Sequence, residues 1–285
     1  MTLPTIAFIG TGIMGLPMAR NLLNAGFPVR AWNRSTSKAQ ALSAHGADIA
    51  SSPVQAADGA QVLICMLSDG PTCDAVLFGK DGATRALAPG ALVIVMSSIP
   101  VETAVEQARL CAERGLRYLD APVSGGERGA REATLAIMVG GETAAFEQGR
   151  EVLSALGRPV HVGPAGTGEL AKLVNQLIVA STIATVAEGL LLAERGGADP
   201  SKVHEALLGG FVDSPIWRQH GQRMLDKWQL KDTRTALAHA QTLGLSLPVG
   251  SLVDSLFAAM VEAGDGELDH AGLIRQLRRN NPLPE

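Results

Sequence analysis

The sequence predicts an α/β domain followed by an all-α domain, the two joined by a long helix. In the first half, short β-rich runs alternate with helix-compatible runs, the pattern of βαβ units on a parallel sheet. Near residue 163 that alternation stops. Beyond it lies one long helical run, followed by shorter helical segments with no convincing strand.

The expected strands are Ile6–Ile9, Val29–Trp32, Val62–Met66, Leu92–Met96 and Tyr118–Asp120, with Leu135–Val139 and Val160–Val162 closing the half. Between them Met14–Asn24, Thr36–His45, Pro71–Phe78 and Val101–Glu113 suit helices. Turn pairs such as Ala25-Gly26, Pro89-Gly90 and Arg114-Gly115 fall between the elements. The run from Gly163 to Gly168 reads as a glycine-rich joint, which sets expected domains at 1–163 and 164–285. Leu170–Arg195 reads as a single helix on the order of 40 Å long. It is apolar on nearly every face, so burial is expected. Lys172, Asn175, Gln176 and Glu188 interrupt it, which argues against a membrane span.

Composition excludes several classes. The 285 residues are 46% hydrophobic and 18% charged, enough for a core and too apolar for disorder. A formal net charge of -4 offers no basic stripe for nucleic acid. No secretory leader is visible at the N-terminus. The three cysteines, Cys65, Cys73 and Cys111, match neither a metal site nor a disulfide framework. A reduced, cytoplasmic protein is expected.

The most informative motif is Gly10-Thr11-Gly12-Ile13-Met14-Gly15, directly behind the first strand and opening the first helix. A strand turning sharply into a helix presents free N–H groups and the positive dipole end to a pyrophosphate. Gly10 allows the turn, Gly12 admits the phosphates, and Gly15 lets the helix pack close. A dinucleotide is therefore expected there. At the end of the second strand an NAD site usually carries Asp or Glu for the ribose hydroxyls. This chain has Asn33-Arg34-Ser35-Thr36 instead. Arg34 can grip a 2′-phosphate, and Ser35 or Thr36 can donate to it. The same residues can also simply cap the next helix. NADP is expected over NAD, with NAD still possible.

Two further features bear on chemistry. Ser124-Gly125-Gly126 follows a strand, and its successive N–H groups can cup a carboxylate, although an ordinary glycine turn reads the same way. Lys172 is a charge in an unusually apolar helix, with Asn175 three residues on along the same face. A lysine near a helix end is commonly solvated. Facing a cleft, it can protonate an alkoxide during hydride transfer, with Asn175 holding the same substrate. The histidines lack metal-ligand spacing, and no nucleophile elbow or P-loop is present.

Together these blocks resemble the β-hydroxyacid dehydrogenase family. Phe8–Ala19 resembles its cofactor signature, Asp120–Gly126 its substrate signature, Gly168–Gln176 its catalytic block and Lys231-Asp232 its late Lys-Asp pair. The resemblance implies that Lys172 is the acid/base, that Asn175 is a substrate ligand, and that Ser124, Gly125 and Gly126 hold a substrate carboxylate. It also implies that Met66, Leu67 and Ser98 line the cofactor, with Lys231 reaching it from the helical domain. A Rossmann-like domain, an all-α domain and a homodimer or homotetramer are implied as well. Ser124–Glu127 and Met138–Gly141 lean toward the branch that reduces tartronate semialdehyde. The expected activity is NADPH-dependent reduction of a small semialdehyde acid to its 3-hydroxy acid. A 3-hydroxyisobutyrate-type dehydrogenase is the alternative within the family. A non-catalytic dinucleotide-binding protein is the alternative outside it.

Overall fold

Ile6–Ile9 form β1, buried along its whole length and paired on both sides within a nine-stranded sheet. The computed structural model describes residues 3–226, 248–265, 268 and 272–281. β1 is followed by α1 (Gly15–Asn24), β2 (Val29–Trp32), α2 (Thr36–Gln40), β3 (Asp48–Ile49), α3 (Pro53–Ala57), β4 (Val62–Cys65) and α4 (Gly70–Phe78). Then come β5 (Leu92–Val95), α5 (Val101–Glu113), β6 (Arg117–Asp120), β7 (Val123–Ser124), α6 (Gly126–Glu132), β8 (Leu135–Gly141), α7 (Thr143–Ser154) and β9 (Gly157–Gly163). The sheet order is β3-β2-β1-β4-β5-β6-β8-β7, with β9 also paired to β8. Strands β1 to β6 run parallel, while β8 runs antiparallel to β6 and β7.

Alternate residues of each strand feed opposite faces. Ile6 and Phe8 join one core with Met18, Leu22, Ile64 and Ile94. Ala7 and Ile9 join the other with Leu63, Cys65, Leu77 and Val93. Burial on both faces explains why these strands read as continuous apolar runs.

The register has a functional consequence. Ile9 pairs with Trp32 and Cys65, Cys65 with Val95, and Val95 with Asp120. These residues form one row, so the segments that follow them leave the same carboxyl edge of the sheet. That edge, where strand order reverses between β1 and β4, is where open α/β sheets bind ligands.

Contacts divide the chain into two units, Met1–Lys172 and Leu173–Glu285. Helix α8 (Thr167–Arg195) begins in the first and continues in the second. By length and composition alone Thr167–Glu194 could cross a membrane, with a mean hydropathy of 1.7 in its most apolar stretch. In the helical unit it instead supplies core. Ile183, Ala187 and Leu190 pack with Trp217 and Leu277, while Ala180 and Ala184 pack with Val253 and Phe257. Among the described residues of this unit no strand occurs.

Three expectations need correction. Helix α8 is not buried on every face, since Val174, Ile178 and Leu192 are exposed. Thr36–His45 is not one helix: α2 stops at Gln40, and a 3-10 turn, Ser43–His45, ends at Gly46 with φ +90°. The helix read as Leu170–Arg195 starts at Thr167, because a distant carboxylate caps it.

Candidate active site

The glycine turn after β1 separates glycines needed by the fold from a glycine needed by something else. A Cβ on Gly10, whose φ is +100°, would lie 2.2 Å from the Met66 carbonyl oxygen. One on Gly15 would lie 1.9 Å from the Gly10 carbonyl oxygen, so helix and turn touch as expected. One on Gly12 would meet nothing within 4 Å among the described residues. The space over Gly12 is therefore open to a ligand. No side chain caps α1 at Met14; Leu16 N–H donates to the Gly12 carbonyl at 3.0 Å and Pro17 carries no N–H, so the donors left for an anion are those of the turn and of Gly15. Thr11 is 2% exposed, yet its hydroxyl has no partner among the described residues. Ile13 stands exposed beside it. An orphaned hydroxyl, these N–H groups and an open glycine fit a pyrophosphate.

Asn33 uses both ends of its amide on the protein. Its Oδ1 accepts from Thr11 N–H at 3.0 Å, and its Nδ2 donates to the Ser35 carbonyl at 3.1 Å. Its contribution is to tie the end of β2 to the glycine turn. Arg34 is exposed. Ser35 occupies the N-cap position of α2, but its hydroxyl makes no capping bond. Sequence reasoning missed Lys38. It lines a cavity of about 410 Å³ together with Thr11, Gly12, Ile13, Arg20 and His45. The available signal was spacing, since Lys38 follows Arg34 by four residues.

Two other turns meet this edge. Met66 N–H donates to the Ile9 carbonyl at 2.8 Å, and Leu67 N–H donates to Ser97 Oγ at 2.7 Å. Ser97 is thus buried structure, whereas Ser98 is exposed at the edge. Cys73 Sγ lies 3.4 Å from Ser97 Oγ and 3.7 Å from Cys65 Sγ. The Cys73 contact and burial hold the Cys65 thiol well above its usual value, so it is inert core.

Beyond β6, β7 ends at Ser124, and Gly125 (φ +135°) and Gly126 (φ +60°) turn the chain into α6. Both glycines are exposed, and among the described residues nothing lies within 4 Å of a Cβ on Gly126. Lys172 is half-buried, and its Nζ donates to the Val123 carbonyl at 2.8 Å, across 49 residues. The lysine is therefore brought beside the Ser124–Gly126 turn. Its helix is fixed by Asp120, fully buried at the end of β6. Asp120 Oδ1 accepts from Gly166 N–H at 2.8 Å and Oδ2 from Glu169 N–H at 2.9 Å. Burial raises the Asp120 pKa, and these N–H donors oppose the rise.

In the helical unit, Asn175 is half-buried and its Nδ2 donates to Gln176 Oε1 at 3.0 Å. Lys231 lies outside the described residues.

Comparison with known proteins decides the family. Residues 5–164 match the NAD binding domain of 6-phosphogluconate dehydrogenase, and residues 166–277 match the NAD-binding region of NADP-dependent 3-hydroxyisobutyrate dehydrogenase. The 2-hydroxy-3-oxopropionate reductase of Escherichia coli K12 is 41% identical over 95% of this chain and 96% of its own. The chain belongs to the β-hydroxyacid dehydrogenase family.

Other members of that family are also similar. The 3-hydroxyisobutyrate dehydrogenase of Pseudomonas aeruginosa is 35% identical over 94% of this chain and 95% of its own. The solved Mycobacterium tuberculosis 3-hydroxyisobutyrate dehydrogenase with L-serine superposes with a TM-score of 0.87 at 31% identity, covering 97% of this chain and all of that one. As a β-hydroxyacid dehydrogenase, this protein is an NAD(P)-dependent oxidoreductase acting on CH–OH groups, and the relatives above are named for small hydroxy and oxo acids. Its Rossmann-like sheet and following helical unit are those expected from the sequence.

Proposed function

We propose that this enzyme is an NADPH-dependent reductase of a small 3-oxo acid, with tartronate semialdehyde as the favoured substrate. The observation that carries the reading is the bond from Lys172 Nζ to the Val123 carbonyl, which sets a proton donor beside a turn suited to a carboxylate. The similarity to the Escherichia coli 2-hydroxy-3-oxopropionate reductase supports the choice of substrate.

When bound, the nicotinamide cofactor supplies the hydride in reduction and accepts it in oxidation. The chain's own residues do the rest. The N–H groups around Ser124, Gly125 and Gly126 hold the substrate carboxylate. Lys172, with one N–H committed to Val123, gives a proton to the carbonyl oxygen as it becomes an alkoxide, and recovers it in the reverse direction. Asn175, one helical turn on, is the second substrate contact. Arg34 and Ser35, joined by Lys38, hold the 2′-phosphate, and Gly10–Gly15 hold the pyrophosphate. Met66, Leu67 and Ser98 border the cofactor, and the family resemblance assigns Lys231 to it as well. The working division is a cofactor domain at 1–163 and a helical domain at 164–285, in a cytoplasmic homodimer or homotetramer.

The test is a panel of three- and four-carbon aldehyde acids, each paired with a neutral analogue of the same length and scored by NADPH oxidation. Acids should exceed their neutral partners in kcat/KM by at least about tenfold, because the turn's donors lose their charged partner in the analogue. Equal values would remove the carboxylate reading.

A further inference from the structure

A glutamate in the first turn of a helix is ordinarily solvated and stabilised by the helix dipole. Glu169 departs from that pattern. It is 1% exposed, and its backbone N–H is committed to Asp120 Oδ2. The backbone N–H of Ile99, the residue after the Ser97-Ser98 turn, favours its charged form. Its Oε1 has no partner among the described residues. It precedes Lys172 by three residues on the same helix, so the two side chains share a face.

An ionised carboxylate with an empty oxygen is costly to bury. The charged and titratable groups that face it are Asp120 from β6, Tyr118 from β6, Cys73 from α4 and Lys172 from its own helix. Burial and Asp120 push the Glu169 carboxyl up to about 9, and Lys172 pulls it back only in part.

We propose that Glu169 is a positioning residue for the proton donor: buried in the first turn of α8, with an unpartnered carboxyl oxygen and on the same helix face as Lys172, it governs how long the lysine keeps its proton as pH rises. This rests on the reading of Lys172 as that donor. Near neutral pH the acid keeps its own proton and places no charge on the lysine. In alkaline solution it releases the proton to solvent, and the resulting carboxylate holds the ammonium form of Lys172. Reduction, which needs that ammonium, is thereby extended to higher pH.

The experiment is the pH profile of kcat/KM for NADPH-dependent reduction, each profile normalised to its own maximum, in the unmodified enzyme and in Glu169→Gln. Glutamine is uncharged at every pH, so the alkaline limb should move to lower pH by about half a unit or more. Superimposable limbs would overturn the proposal. A second measurement covers a variant that does not fold. With 13C-labelled glutamate in the unmodified protein, infrared spectra should show a protonated-carboxyl band at pH 7 that is lost near pH 9. Its absence at pH 7 would overturn the proposal as well. Lys172→Ala separates the two readings. Retained turnover there would remove the lysine as donor, whereas lost turnover with an unmoved Glu169→Gln limb would remove only the role given to Glu169.

Discussion

Asp120 Oδ2 accepts the backbone N–H of Glu169 at 2.9 Å, so the last residue of one strand dictates where the lysine-bearing helix begins. Its other oxygen accepts from Gly166, ahead of the helix. Two donors at a helix N-terminus thus find one buried acceptor group.

Removing that acceptor should be costly. Asp120→Ala should lower unfolding stability by about 3 kcal/mol, since charge-assisted bonds contribute and the stranded N–H groups remain buried. The check is the denaturant midpoint at constant m-value. A loss below about 1 kcal/mol would mean that water replaces the carboxylate.

The glycine turn predicts opposite phenotypes for adjacent glycines. Gly15→Ala must displace the Gly10 carbonyl and should destabilise the fold by roughly 1–3 kcal/mol. Gly12→Ala meets no atom of the described residues within 4 Å, so its melting temperature should stay near that of the unmodified protein. Its NADPH affinity should fall about tenfold or more, roughly 1.4 kcal/mol. Thermal melts paired with titration calorimetry read both, and unchanged affinity in Gly12→Ala would move the pyrophosphate elsewhere.

Cofactor choice should follow the exposed cations. Arg34→Asp should weaken NADPH far more than NADH, by lost attraction plus new repulsion. Lys38→Ala should act in the same direction with a smaller effect. Equal affinities of the unmodified protein for the two cofactors would count against both assignments.

Lys172→Ala should lower turnover by about a hundredfold or more while leaving NADPH affinity largely intact. Lys172→Arg should not restore it, because guanidinium hardly releases a proton. Steady-state kinetics beside cofactor titration separate these outcomes, and normal turnover in the alanine variant would reduce Lys172 to a structural contact with Val123.

The Glu169 carboxyl also ties stability to pH. An unfolded glutamate titrates near 4.3, whereas the folded group titrates at about 9. The folded state therefore holds the extra proton between those limits. Its stabilising contribution is complete below the lower limit and is lost as pH rises through the upper one. Relative to the unmodified protein, Glu169→Gln should gain melting temperature steadily from pH 5 to pH 9. Parallel melting curves across that range would contradict a buried neutral acid.

What could be read in advance was what short stretches determine by themselves. The turn from Ile9 to Gly15 is local, and so is the replacement of a ribose-binding acid by Asn33-Arg34. Strand β7 was not legible, because two residues, Val123 and Ser124, become a strand only by pairing with Ile137 and Ala136. The bond from Lys172 to Val123 joins positions that no spacing rule connects, although both had drawn attention separately or by neighbourhood. Glu169 was passed over because an acid in a first helical turn looks solvated until its surroundings are known. Asn33 was read as a cofactor contact from its position alone, and only the fold reveals that Thr11 and Ser35 occupy its amide.

The buried carboxylate of Asp120 has one more consequence, for how this sequence can drift. A Cβ on Gly140 would lie 2.6 Å from Asp120 Oδ1, and one on Gly168 would lie 2.5 Å from the Asp120 carbonyl oxygen and 2.6 Å from that of Met138. Three positions far apart in the chain therefore act as one unit of inheritance. A side chain at Gly140 would meet both the aspartate and the Gly168 backbone, and one at Gly168 would meet two main-chain carbonyls whatever stands at 120, so a substitution at one of the three changes the cost of the next. Neutral wandering is closed along this seam, and a descendant that abandons it must rebuild the start of the lysine's helix by other means.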